Sequence, residues 1–207
     1  MITLVHPQPY NTLTNILNMV SNPIVPGFNP DPSLIRVGSD YYLATSTFEY
    51  FPGVAIHHST DLVNWRIIGH ALNRPSQLMM RNVCPGGGIY APTLRHWKGK
   101  FYMATSVVYD RPGGGVSPIL VTDSPTCTDS QHQEPRGFYV STDDIYDDSK
   151  WSEPVYFEML GIDQDVRLLH TMYTSADTSS YSLTMMIKST YAQRDPITAT
   201  VNQKALI

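Results

Sequence analysis

Asp31 stands between two prolines in the run Gly27-Phe28-Asn29-Pro30-Asp31-Pro32-Ser33-Leu34-Ile35. Proline fixes its own φ and steers the residue before it out of the helical region. Asp31 is therefore expected in extended or turn backbone with little freedom to drift. A carboxylate on a stiff backbone suits general-base work, where geometry comes before pKa. The same letters also describe an Asp-Pro turn at the entrance of a strand. Other groups invite chemistry less. His57 and His58 are neighbours in a strand pattern, so their side chains point to opposite faces and do not readily share a metal ion; they read as structural. Asp143-Asp144 and Asp147-Asp148 lack the spacing of a calcium loop and read as a solvated turn. Gly86-Gly87-Gly88 and Gly113-Gly114-Gly115 lack the strand-to-helix context of a phosphate cradle and read as loops. Cys84 and Cys127 have no metal-ligand spacing, and neither a disulfide nor a redox compartment is legible from them. No metal site and no cofactor are read from the sequence.

The elements that position these groups are short strands. The chain has 207 residues, 42% of them hydrophobic, which is enough for one domain with a core. Charged residues make up 15%, the net charge is −4, and no Lys/Arg run occurs, which argues against a nucleic-acid partner or an anionic membrane surface. Residues 1–21 read as a lead-in, with a short helix possible over Leu13–Val20. They lack the basic and continuous apolar regions of a signal peptide, so a cytoplasmic location is expected; an upstream exon carrying a leader would make it extracellular.

From Ser33 the pattern is strand and tight turn: 33–37, 41–48, 54–59 and 66–72, with Gly38-Ser39-Asp40 and Thr60–Trp65 as turns. The order then recurs over 91–97, 101–108, 137–142 and a last strand near Val155. Ser59-Thr60-Asp61…Trp65 matches Ser141-Thr142-Asp143…Trp151. A repeat of four-stranded units predicts an all-β fold, a β-propeller. The Pro-, Gly- and Ser-rich stretch from Tyr109 to Arg136 reads as an insertion in the second unit. A third unit is expected to open at Gly161-Ile162-Asp163. After Val166, alternation and turn signals fade, and no glycine follows Gly161.

Residues 22–166 resemble glycoside hydrolase family 43, the β-xylosidase and α-arabinofuranosidase family. The resemblance rests on Asn22–Ser33, Thr45–Gly53, Ile56–Trp65, Gly87–Leu94 and Gly161-Ile162-Asp163, in that order. It implies a five-bladed β-propeller, here cut to about two blades plus a divergent tail over 167–207. It also implies hydrolysis of O-glycosyl bonds, in xylosides or arabinosides of hemicellulose, with inversion. Asp31 matches the general base, and Asp163 matches the carboxylate that tunes and orients the general acid. Asp165 lies beside Asp163 but does not fit the Gly-Ile-Asp position. Phe48 matches an aromatic lining the sugar pocket, and Tyr90 falls where many members have Trp. Glu49, next in chain to Phe48, alternates away and reads as a wall or surface residue. The implied substrate is a xylo-oligosaccharide or an arabinoside.

Two departures matter. Thr93 stands where relatives commonly have Asp, and no Glu follows Glu158, so the family's general-acid Glu is absent from this chain. The alternative reading is therefore a truncated, non-catalytic propeller fragment with at most weak sugar binding. An incomplete propeller would also expose sheet edges, which favours aggregation or a partner. The codons permit an explanation for the tail. Methionine has one codon, and a shifted frame across Leu183–Thr190 can read Asp-Asp-Asp-Asp-Gln-Val-Tyr, like the acidic turn and strand that the family places after Gly-Ile-Asp. Residues after about Val166 are then expected to be out-of-frame translation, as through a retained intron.

Overall fold

Alternation of apolar and polar residues between Gly-bearing turns gives three antiparallel sheets in the computed structural model, which describes residues 21–80, 83, 85–110, 133–160, 162–175, 178–188 and 199–205. Leu13–Val20, Cys84, Cys127 and Gly113–Gly115 lie outside the described residues. The first sheet runs in chain order: β1 (Ser33–Val37), β2 (Asp40–Thr45), β3 (Gly53–Ser59) and β4 (Arg66–Leu72). The second repeats it with β5 (Gly88–Trp97), β6 (Lys100–Asp110), β7 (Gln133–Thr142) and β8 (Val155–Leu160). These are two successive blades. The expected insertion is narrower than its sequence suggests, because β6 and β7 pair out to Asp110 and Gln133.

The third sheet departs from the expectation. β9 (Asp165–Ser175), β10 (Thr178–Lys188) and β11 (Ala199–Ala205) pair antiparallel in the order β11-β10-β9. The boundary drawn at Val166 thus falls inside a strand. Loss of glycine turns and of alternation hid it, yet Val, Leu, Ile, Thr and Tyr keep a strong strand preference in these segments.

Strand β6 shows how the sheets meet. Its successive side chains point to opposite faces. Phe101, Met103 and Val107 join Phe138, Val140, Ile145 and Trp151 in one core with Tyr42, Val54, Ile56, Ala71, Leu72 and Leu78 of the first blade. Tyr102 and Ala104 point the other way and pack with Tyr139 and Val166, at the start of β9. The second blade is therefore covered on both faces, by the first blade and by the third sheet.

A polar clamp closes the outer rim between the two blades. Arg74 Nη2 donates to Trp151 O (2.8 Å) and to Glu153 Oε1 (2.7 Å), and Gln77 Nε2 donates to Ser152 O (2.9 Å). His70 N–H donates to Asp148 Oδ1 (3.0 Å). Asp148 thus crosses to the first blade, whereas the sequence placed it in a merely solvated turn. Its neighbours do stay local: Asp147 caps the short 3-10 turn Asp148–Lys150, and Asp144 pairs with Lys150 at 3.0 Å.

The matched turns differ in their tryptophans. Trp151 is core, while Trp65 stays half-buried and bonds Leu62 O. In the first turn the backbone and side-chain N–H groups of Asn64, then Val63 N–H, hold the Asp61 carboxyl well below the usual carboxylate range. Both histidines of β3 are buried. Burial pushes His57 down, and His58 Nε2 meets Asp40 Oδ1 at 2.6 Å. Among the described residues, no helix is long and apolar enough to cross a membrane.

Gly69 tests the clamp, because a Cβ there would overlap the Asp148 carboxylate. We expect Gly69→Ala to cost about 1–3 kcal/mol, the size of a displaced hydrogen bond plus its unsatisfied partner. The urea midpoint measures it. An unchanged midpoint would show that Asp148 leaves the clamp without penalty.

Candidate active site

The inner ends of the two blades are joined by backbone. Phe48 N donates to Ile89 O (3.1 Å) and Ile89 N donates to Phe48 O (3.0 Å). The second blade can come this close because Gly88, at φ +92°, has no side chain: a Cβ there would overlap the Phe48 carbonyl. The glycine run read as a loop therefore ends in a residue of β5 whose role is close approach.

Two residues from that seam, a second link forms. The β5–β6 register shifts between Tyr90 and Thr93, which takes Ala91 out of the ladder. Ala91 N–H donates instead to Ser46 Oγ (2.7 Å), and Ser46 Oγ donates to Asp31 Oδ2 (2.7 Å). Ser46 N–H also donates to Pro30 O (2.9 Å). Asp31 is thereby fixed at a turn, at φ +52°, rather than in extended backbone. Asp tolerates this left-handed region better than most residues.

The third sheet brings the second carboxylate. Arg95 of β5 donates from Nε to Val166 O (2.9 Å) and from Nη2 to Asp165 Oδ1 (2.8 Å), while Nη1 holds Leu94 O (2.8 Å). This ties the start of β9 to the second blade. Asp163, two residues earlier and at φ +57°, then lines an open cleft of about 310 Å³ together with Asp31, Pro32, Ser33, Ala91, Pro92, Thr93 and Arg95. Asp31 and Asp163 are both exposed to it. Asp165 pairs with Arg95 and is not part of the cleft lining, whereas Asp163 is.

Phe48 and Tyr90 are brought together, with ring centroids 5.0 Å apart and edge to face, but they do not line this cleft. They stand beside it, one on each side of the backbone seam. Phe28 packs edge to face on Phe48 (5.3 Å) and Tyr50 on Phe28 (5.8 Å), which extends the aromatic row outward. Glu49 turns away and accepts from Gly86 N (3.2 Å). Four residues of this region, Asp31, Phe48, Ala91 and Asp163, hold positive φ without being glycine. Each such residue costs about 1–3 kcal/mol and persists where surrounding contacts over-determine it, a pattern found at functional sites.

Sequence reasoning missed Ser46 and Arg95. The signal for Ser46 was a polar break, Thr45-Ser46-Thr47, closing an apolar strand; Thr45 and Ser46 are fully buried, and buried polar groups need partners. Arg95 carried no signal, because its partners lie across sheets.

The Arg95 tether makes a stability prediction. Its ion pair with Asp165 is largely exposed and contributes about 0–1 kcal/mol. Its bond to the buried Val166 segment contributes more. We expect Asp165→Asn to cost less than about 1 kcal/mol and Arg95→Ala about 1–3 kcal/mol in urea unfolding. Equal losses would show that the ion pair alone carries the tether.

The sequence profile described as "Glycosyl hydrolases family 43" matches residues 20–193, a stretch that runs past Val166 into the third sheet. The chain is 41% identical over 167 residues to a xylan 1,3-beta-xylosidase of a Vibrio species, covering 81% of this chain and 27% of that protein. It is 38% identical over 167 residues to a beta-xylosidase of Bacillus subtilis, with the same coverage. Among solved structures, a xylan beta-1,4-xylosidase from Bacillus halodurans superposes with a TM-score of 0.58 at 31% identity, covering 89% of this chain and 34% of that one. The chain thus spans about a quarter to a third of the length of these relatives. Its two four-stranded sheets are successive blades of the β-propeller fold of that family. On the matched profile and the shared fold, the chain belongs to glycosyl hydrolases family 43.

Proposed function

We propose that this chain supplies the water-activating half of an inverting glycosidase acting on xylosides or arabinosides of hemicellulose. One observation carries the reading: Asp31 and Asp163, far apart in sequence, line one cleft, each locked in left-handed backbone. Asp31 acts as general base, taking a proton from the water that attacks the anomeric carbon. Asp163 faces the same cleft from the third sheet, placed to hold a neighbouring acid protonated by like-charge repulsion. Inversion needs base and acid roughly 6.5–9.5 Å apart, with room for the water. An open cleft walled by separate sheets suits that spacing. Phe48 and Tyr90, at the rim, offer ring faces to the apolar face of a pyranose. Relatives named as xylosidases and arabinosidases support this substrate class.

The acid itself is not among these residues, since no Glu follows Glu158. General-acid assistance contributes roughly 10²–10⁴-fold. The purified 207-residue chain, assayed with aryl β-xyloside and aryl α-arabinofuranoside, is therefore expected to turn over at or near the buffer rate. Turnover that Asp31→Ala abolishes would sink this division of labour.

We propose further that the residues after about Val166 are out-of-frame translation, because the genetic code permits Leu183–Thr190 to read Asp-Asp-Asp-Asp-Gln-Val-Tyr in a shifted frame. Complementary and genomic DNA across codons 160–195 test it. A spliced message that keeps Leu168–Ile207, with no in-frame Glu placed downstream in the gene, ends the idea. A message that restores an acidic turn after Asp165 supports it.

A further inference from the structure

Ser46 is a buried hydroxyl with no part in the strand ladders, held by three short contacts. Its own N–H is bound to Pro30 O (2.9 Å), so it is fixed against the peptide that carries Asp31. Its Oγ accepts from Ala91 N–H (2.7 Å) and lies 2.7 Å from Asp31 Oδ2. A hydroxyl carries one proton. Because Ala91 N–H fills a lone pair of Oγ, that proton goes to Oδ2. Oδ2 is then an acceptor with its position set, while Oδ1 meets no donor among the described residues.

We propose that Ser46 is the positioning residue of the Asp31 base, and that Oδ1 is the oxygen that takes the proton from water. The proposal rests on the glycosidase reading above and deepens it. In the step concerned, the water oxygen bonds to the anomeric carbon, its proton passes to Oδ1, and the bond to the leaving oxygen breaks, that oxygen departing as a phenolate from an aryl glycoside or taking its proton from solvent. Ser46 keeps its proton throughout. It turns a carboxylate with two equivalent oxygens into one with a held oxygen and a working oxygen. The β-bulge in β5 supplies the Ala91 N–H that orients it, so the base is aimed by the neighbouring blade as well as by its own.

The relay has a spectroscopic signature. When Asp31 is ionised it polarises the Ser46 hydroxyl, which makes Oγ a better acceptor for Ala91 N–H; hydrogen bonds in a chain strengthen one another. In the isotope-labelled chain, an acid titration should show an upfield limb in the Ala91 amide proton as Asp31 is protonated. Asp163 and Arg95 line the same cleft and Asp165 pairs with Arg95, so Asp31→Asn is needed to assign the limb. We expect Asp31→Asn to remove it, Ser46→Ala to cut it to less than about half, and Ser46→Thr to retain it. A limb that is absent in the parent, or undiminished in Ser46→Ala, overturns the proposal. If Ser46→Ala does not fold, the other two variants decide: a limb lost in Ser46→Thr or kept in Asp31→Asn overturns it. Xylobiose and, separately, methyl α-arabinofuranoside added to the same samples separate the two readings. If neither shifts a resonance near the cleft while the relay behaves as described, the glycosidase reading fails and the Ser46–Asp31 coupling stands.

Discussion

The reciprocal backbone pair between Phe48 and Ile89 is the constraint on which the rest of the site depends. It joins the β2–β3 connection of one blade to the first strand of the next, and it exists only because Gly88 leaves room for the Phe48 carbonyl. Antiparallel pairing then sets what lies on either side. Going back from Phe48 and forward from Ile89, the next facing positions are Ser46 and Ala91, and these aim Asp31. Outward along the same seam, Phe48 and Tyr90 meet edge to face. A single backbone contact therefore registers both the carboxylate and the aromatic row.

Burial supplies what hydrogen bonds at the seam cannot. Two hydrogen bonds contribute about 1–3 kcal/mol between them, too little to hold two sheets in register. The shared core does that, with Ile89 and Leu94 of the second blade buried against Ile56, Leu72 and Leu78 of the first. The rim clamp of Arg74, Gln77 and Asp148 adds direction, since the backbone carbonyls of 151 and 152 find their donors on the first blade. Apolar area gives the attraction, and polar contacts choose the angle.

Much of this was legible in the residues. The strands over 33–37 and 66–72 fall where alternation and turns put them, because local pattern and burial agree there. Asp31 and Asp163 were singled out through motifs, and both line one cleft. Other parts were not. Ser46, Arg95 and Asp148 act across sheets, and no local pattern encodes a partner some fifteen to seventy-eight residues away. The strands β9 to β11 were hidden for a different reason: the reading leaned on glycine turns, while the segments pair through strand propensity without them. Phe48 and Tyr90 were singled out by the same motifs, and the structure brings their rings together beside the cleft.

The tether from Arg95 to the start of β9 has one more consequence. Asp31 belongs to the first sheet and Asp163 to the lead-in of the third, with the whole second blade between them. The gap between the two carboxylates is therefore not a local dimension of the cleft. It follows how the second blade is turned on the first and the third sheet on the second. A small rotation of one sheet about its neighbour, caused by a bulkier side chain at the distant rim, would open or close that gap without touching any residue of the cleft. The propeller acts in this respect like a pair of callipers, with its hinge screws at the circumference and its points at the centre.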